Sequence, residues 1–159
     1  MNIVVREARA DDARLMAELT RAAWVGKVSV TSSGHRETAV QVTEHLRAGG
    51  GFVLEPDGAP VASVRWLPLE NASDVWEVAR MGVLPEHRGN QLSEHLIEAV
   101  IHHALATGIE EVRLAVRTDQ PRLIDFYAAY EFELAEELEY SHANPLEPAP
   151  LVMRRWLRN

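Results

Sequence analysis

The residues best able to do chemistry fall in one run, Glu77-Val78-Ala79-Arg80-Met81-Gly82-Val83-Leu84-Pro85-Glu86-His87-Arg88-Gly89-Asn90-Gln91-Leu92-Ser93. Its first half reads as a strand, which Pro85 must stop because proline lacks the ladder donor. From Gln91 onward Leu92, Leu96, Ala99, Val100 and Ala104 recur on one face, the spacing of a long helix that Gly108 closes. A strand that turns directly into a helix leaves the leading amides of that helix, residues 89 to 93, without intrahelical acceptors and at the positive end of its dipole. That is the outline of an anion site. Arg88 adds a fixed positive charge at its mouth, and Gly89 permits backbone angles that other residues resist. Every helix start offers such amides and most hold only water, so context has to decide whether a phosphate binds here.

Other clusters carry less. His95, Glu98 and His102 lie along one helix side with His103 beside them, yet the spacing is not H-E-x-x-H and no second element supplies a further ligand, so no metal site is expected. Trp24, Trp66, Trp76 and Trp156 could line an aromatic acceptor pocket, but tryptophans scattered through strands and helices are usually core. The G-x-S-x-G elbow is missing, and no Ser-His-Asp arrangement follows from spacing. The absence of cysteine removes thiol nucleophiles, iron–sulfur clusters and disulfide frameworks together, and is compatible with reducing cytosol. Sixteen Lys plus Arg against 24 Asp plus Glu give a net charge of −8, the wrong sign for general phosphate neutralisation, so nucleic acid is not an expected partner. No apolar run approaches the roughly 18 residues of a membrane span, and MNIVVREARADD is not a signal-peptide pattern. The expectation is a soluble, cytoplasmic protein that does not meet a membrane.

The elements that must position the run follow one another closely. Ile3 to Glu7 reads as a strand, Ala10 to Trp24 and Glu37 to Arg47 as helices, and Gly49-Gly50-Gly51 as the stop after the second. Phe52 to Glu55 and Val61 to Leu67 form a hairpin about Pro56-Asp57-Gly58-Ala59. Val75 to Leu84 is the next strand and Gln91 to Ala106 the long helix. Glu111 to Val116 is a strand, Pro121 to Tyr130 a helix with proline in its first turn, and Phe132 to Ser141 and Leu151 to Leu157 the last two strands. The order β-α-α-β-β-β-α-β-α-β-β predicts an α/β fold, a mixed sheet with helices on both faces. The 159 residues, 47% apolar and without a linker-like run, predict one domain over 1–159. Ligands in such sheets bind beyond the carboxyl ends of strands, which points to the turns after Leu84 and after Val116.

At these residues the chain resembles the GNAT superfamily of acetyl-coenzyme A-dependent N-acetyltransferases. The strand ending in Met81-Gly82-Val83, the Pro-Glu-x-Arg-Gly turn and the following helix are similar to motif A of that family, whose Arg/Gln-x-x-Gly-x-Gly/Ala pattern wraps a pyrophosphate and here opens at Arg88. Ile124 to Phe132 is similar to motif B, apolar-x-apolar-Tyr-x-x-x-Gly-Phe, and Val152 to Leu157 to the last strand. The element order is also similar, so the resemblance spans most of the chain. The departures are Gln91 and Ser93 in place of Gly and Gly/Ala, Gln120 where many members have Asn, Leu123 where they have Ala, and Glu131 where they have Gly. Both Gln91 and Ser93 are expected in a helical first turn, where a Cβ is allowed and the polar groups can donate to phosphate oxygens.

The resemblance implies acetyl-CoA as co-substrate, held by Met81, Gly82, Val83, Arg88, Gly89, Asn90, Gln91, Leu92, Ser93, Gln120 and Tyr127, and direct attack by a primary amine in a ternary complex. Tyr127 aligns with the tyrosine that returns a proton to the departing thiolate; the plainer role is to pack or to steady the sulfur. The backbone at Met81 to Val83 would hold the oxyanion, with Gly82 marking a bulge or simply making room for a neighbour. Glu77 stands where histone-acetylating members carry a catalytic glutamate, against a structural ion pair with Arg80 or Arg65; His142 is the second candidate base. Many members pair, implying a homodimer. The acceptor, a small-molecule or peptide amine, is not encoded in any motif; residues 25–51 and 143–150 are expected to wall its cleft. The altered glycines leave a second function open, a degenerate acyl-CoA-binding or regulatory module without transfer.

Overall fold

The computed structural model describes residues 2–24, 36–89, 91–141 and 144–157. Seven strands form one sheet in the order β1-β2-β3-β4-β5-β7-β6. They are β1 (Ile3–Glu7), β2 (Gly50–Pro56), β3 (Ala62–Leu69), β4 (Ala72–Val83), β5 (Glu111–Val116), β6 (Glu133–Leu134) and β7 (Leu151–Trp156), and the helices are α1 (Ala13–Trp24), α2 (Ala39–Ala48), α3 (Leu92–Thr107) and α4 (Arg122–Ala128). The fold is the expected mixed α/β one, with the expected order of elements.

The sheet buries both faces. Adjacent residues of a strand point to opposite sides, and on β2 Val53 joins a core with Met16, Ala17 and Val42 under α1 and α2, while Leu54 joins the larger core with Leu96, Ile97, Val100 and Ile101 of α3. Trp66 and Trp76 stack in that larger core with ring centroids 5.0 Å apart. Asp57 and Gly58 make the β2–β3 turn, both at positive φ, the geometry that matches the twist of a hairpin. Thr38 caps α2: its hydroxyl accepts from the Gln41 amide at 3.2 Å while the Gln41 side chain accepts from the Thr38 amide at 2.9 Å. The helix therefore starts after Glu37, not at it. Among the described residues no helix is long and apolar enough to cross a membrane.

Two boundaries matter for the site. Every neighbouring pair of strands is antiparallel except β4 and β5, whose parallel ladder covers only Val75, Trp76 and Glu77 against Glu111, Val112 and Arg113. Past those three pairs the strands part. The strand expected over Phe132 to Ser141 shrinks to Glu133–Leu134, paired with Arg154 and Met153 of β7. The rest of the segment leaves the sheet edge and returns to β4, where the Tyr140 hydroxyl donates to the Val78 carbonyl at 3.0 Å.

Candidate active site

The gap between β4 and β5 opens a cleft of about 310 Å³, walled by Val78 to Val83, by Leu114, Ala115 and the turn after β5, by Tyr127 and Tyr140, and by Asn144, Glu147 and Pro148 of the proline-rich loop. A local irregularity shapes the β4 wall. Ser63 faces Gly82 and Arg65 faces Ala79, so three steps along β4 match two along β3. The extra residue is a bulge, and Arg80 takes φ +56 to make it. Of the two readings of Gly82, a bulge or room for a neighbour, the bulge lies instead two residues earlier, at Arg80. Gly82 stays paired with Ser63, and the reason it lacks a side chain is close packing: a Cβ there would sit 3.0 Å from Ala23 Cβ and 3.2 Å from Trp24 Nε1.

The bulge also sets which main-chain groups look into the gap. The Leu84 amide donates to the Val61 carbonyl at 2.9 Å, so Leu84 and Gly82 direct their peptide groups to β3. By alternation Val83 directs its own to the side from which β5 has withdrawn, and Met81, next to the bulge, lines the cleft beside it. Val78, the first residue past the last β4–β5 pair, has its carbonyl taken by Tyr140.

Tyr127 stands between this cleft and a second groove that runs to the start of α3, and it lines both. Its side chain is buried against Phe126 and Phe132, with ring centroids 5.0 Å and 6.0 Å away. Burial pushes the phenol well above its ordinary value, because a phenolate would be desolvated there. Gln120 lines both spaces as well; its amide donates to the Arg117 carbonyl at 3.0 Å and its carbonyl accepts from Leu123 at 3.1 Å, which fixes the turn into α4.

At the far end of the groove the first helical bond of α3 runs from the Glu94 amide to the Gln91 carbonyl at 3.2 Å, so the amides of Gln91, Leu92 and Ser93 form the leading turn. Gln91 is not helical, contrary to expectation: as N-cap it lies at φ +59, ψ +28, the left-handed region, whereas Ser93 is inside the helix. Gly89, at φ +87, has open space where a Cβ would be. Arg88 lines the groove, but its guanidinium donates to the Ala23 carbonyl and so ties the end of α1 to the approach of α3. Asn90 lies outside the described residues, as do His142 and residues 25–35 of the expected cleft wall.

Glu77 is 1% exposed and is not among the residues lining the cleft. Its carboxylate accepts from the Ser141 amide at 3.2 Å and from the Ser141 hydroxyl. The ion pairs foreseen for it with Arg65 or Arg80 go to a different carboxylate, Glu37. This residue is 2% exposed, meets Arg65, lies 3.4 Å from Arg80 Nε, and receives Arg21 at its carbonyl. Burial lowers the proton affinity of the Arg65 guanidinium, opposed by Glu37. The Arg80 guanidinium lies over the Trp24 ring, 5.3 Å from its centroid. None of Glu37, Arg65, Tyr140 or Ser141 was foreseen in these roles. The available signal was Arg65 itself, a charge in the middle of Ala-Ser-Val-Arg-Trp-Leu, where every neighbour reads as buried. His95, Glu98 and His102 lie exposed on α3, and among the described residues no three metal-ligating side chains come together to hold an ion.

Solved structures share this architecture from end to end. PaiA N-acetyltransferase from Thermoplasma acidophilum, in complex with coenzyme A, superposes with a TM-score of 0.77 at 15% identity, covering 98% of this chain and 99% of its own. YncA, a putative acetyltransferase from Salmonella typhimurium with acetyl-CoA, gives 0.77 at 14% identity over 100% and 96%. A GNAT superfamily phosphinothricin acetyltransferase from Sinorhizobium meliloti, in complex with acetyl-CoA, gives 0.75 at 20% identity over 99% and 89%. No curated protein matches the chain by sequence. The profile of the Acetyltransferase (GNAT) family, however, matches residues 14–132, the stretch that carries the parted strands, the start of α3 and Tyr127, and the chain belongs to that family.

Proposed function

We propose that the protein is an acetyl-CoA-dependent N-acetyltransferase, a single catalytic domain in which a primary amine attacks the thioester directly while both substrates are bound. The observation that carries this reading is the juxtaposition of an opened strand edge, at Met81 and Val83, with the leading turn of α3 and with Tyr127 between them. The residues present fit the co-substrate. Gly89 leaves backbone bare toward open space, and the amides of Gln91, Leu92 and Ser93 are the groups that would hold a diphosphate. Acetyl-CoA, when bound, supplies an activated acyl group.

The chain does the rest. The main-chain amides of Met81 and Val83 donate to the oxyanion that develops on the acyl carbon, in a wall built beforehand by the bulge at Arg80. Tyr127 Oη, a phenol protonated at neutral pH, would donate its proton to the sulfur as the C–S bond breaks, while the proton shed by the attacking nitrogen as the C–N bond forms would pass through water to restore the phenol. Glu77 acts in this reading as a positioning residue: by holding Ser141 it keeps Tyr140 on the Val78 carbonyl at the root of the cleft.

The Gln91 side chain, borne on the N-cap beside the groove, favours a second reading, an acyl-CoA-binding module that does not transfer. Calorimetry with acetyl-CoA, followed by thiol release with a panel of primary amines, separates the two. Heat and amine-dependent thiol release support the transferase; heat without release supports the module; no heat at millimolar acetyl-CoA refutes both.

A further inference from the structure

Charge at the cleft is sorted by end. On the β5 side one cation serves two carboxylates: Arg117 meets Glu147 at 2.8 Å and Asp119 at 3.5 Å. On the β4 side two cations share one carboxylate, with Arg65 and Arg80 both on Glu37, and of the three Arg80 alone lines the cleft. Arg65 is 1% exposed, and its Nε and Nη1 are buried with no hydrogen-bond partner among the described residues. Arg80 meets Glu37 only through Nε, and among the described residues nothing else accepts from its guanidinium, whose two terminal nitrogens are the prongs of a fork. Glu77, the other buried carboxylate nearby, is engaged by Ser141.

The placement of Arg80 is costly in a way that a packing role does not explain. A branched or long side chain at positive φ carries strain, and a bulge re-aims the side chain it contains. Here both features turn Arg80 onto the wall of the cleft, where its guanidinium lies over the Trp24 ring and its Nε lies 3.4 Å from Glu37. Arg65 lies behind this wall, whereas the Arg80 side chain is 19% exposed and lines the cleft, so its terminal nitrogens are open to a ligand oxyanion.

Resting on the transferase reading above, we infer that the acceptor is an amino carboxylate, its carboxylate seated on the Arg80 fork while its amine faces the opened edge at Met81 and Val83.

The test has a catalytic and a binding arm. Thiol release from acetyl-CoA is measured with free L-alanine, L-methionine, L-phenylalanine and L-glutamate and with their C-terminal amides. Calorimetry without acetyl-CoA compares the N-acetyl acids with the N-acetyl amides. At least one acid should exceed its amide tenfold or more in kcat/KM and in affinity, the size of one charge-assisted hydrogen bond. Arg80→Asn, in which asparagine tolerates the left-handed backbone, should bring that ratio to near one, and Arg80→Lys should leave an intermediate ratio. Equal acid and amide throughout the panel, or a preference that survives in Arg80→Asn, overturns the inference. Acid preference in the binding arm with no heat from acetyl-CoA would retain this site and remove the transferase reading instead.

Discussion

Gln91 and Ser93 stand two residues apart at the mouth of the groove, yet replacing each with glycine should move stability in opposite directions. Gln91 is an exposed N-cap at φ +59, and the left-handed region costs an L-residue about 1–2 kcal/mol. Glycine removes that cost and returns roughly 0.5–1 kcal/mol through the greater freedom of the unfolded chain. The balance is a gain of about 0.5–1 kcal/mol for Gln91→Gly, or roughly 2–4 °C in Tm for each kcal/mol in a chain of this size. Ser93 is already inside α3, so Ser93→Gly relieves nothing and should lose about 0.5 kcal/mol of helix propensity. Urea unfolding of the three proteins at neutral pH, with unchanged m-values, reads both signs. Equal destabilisation by both glycines would refute the left-handed cap and with it the account of the groove's entrance. The same pair bears on function: acetyl-CoA affinity should rise at Gln91→Gly, where backbone beside the leading amides is laid bare.

Tyr127→Phe should lower turnover by about 100-fold, the lower end of what a positioned proton donor contributes, with acetyl-CoA affinity unchanged by calorimetry; a normal rate would remove Tyr127 from the chemistry. Gly82→Ala should cost about 1–3 kcal/mol in urea unfolding, because the new methyl meets Ala23 and Trp24 at 3.0 and 3.2 Å; no loss would mean that the end of α1 yields freely. The Arg6 guanidinium, at 2.8 and 2.9 Å, holds the Asp12 carboxyl below the usual carboxylate range, helped by the Arg9 amide. A lowered carboxylate stabilises the fold above its unfolded value of about 3.9 and loses that contribution as pH falls through the folded value. Asp12→Asn should therefore be about 1.5–3 kcal/mol less stable from pH 5 to 8, with the gap closing below about pH 4; a gap that persists into acid contradicts the ion pair.

The order of elements was legible because apolar period and turn chemistry are local: Asp57-Gly58, Pro85 and Gly108 end or turn elements through their own backbone limits. The placement of candidate residues was legible where it too is local, as for the leading turn of α3 and Tyr127, which line the cleft and the groove. What escaped depends on partners far along the chain. Ser141 reaches Glu77 across 64 residues, Tyr140 reaches Val78 across 62, and Arg88 reaches Ala23 across 65. The segment after Leu134 alternates well enough to suggest a strand, but the place beside β7 holds it for only two residues, and Tyr140 satisfies more by capping a carbonyl that β5 has abandoned. Periodicity likewise reports which face a side chain takes and is silent on φ, so Gln91 reads as helix and Arg80 as ordinary strand. Those two residues are the non-glycine left-handed positions that adjoin the cleft and the groove. Both conformations are set by tertiary partners rather than by local pattern, and the one local clue to the buried ion pairs behind β4 was a charge inside an apolar strand, Arg65.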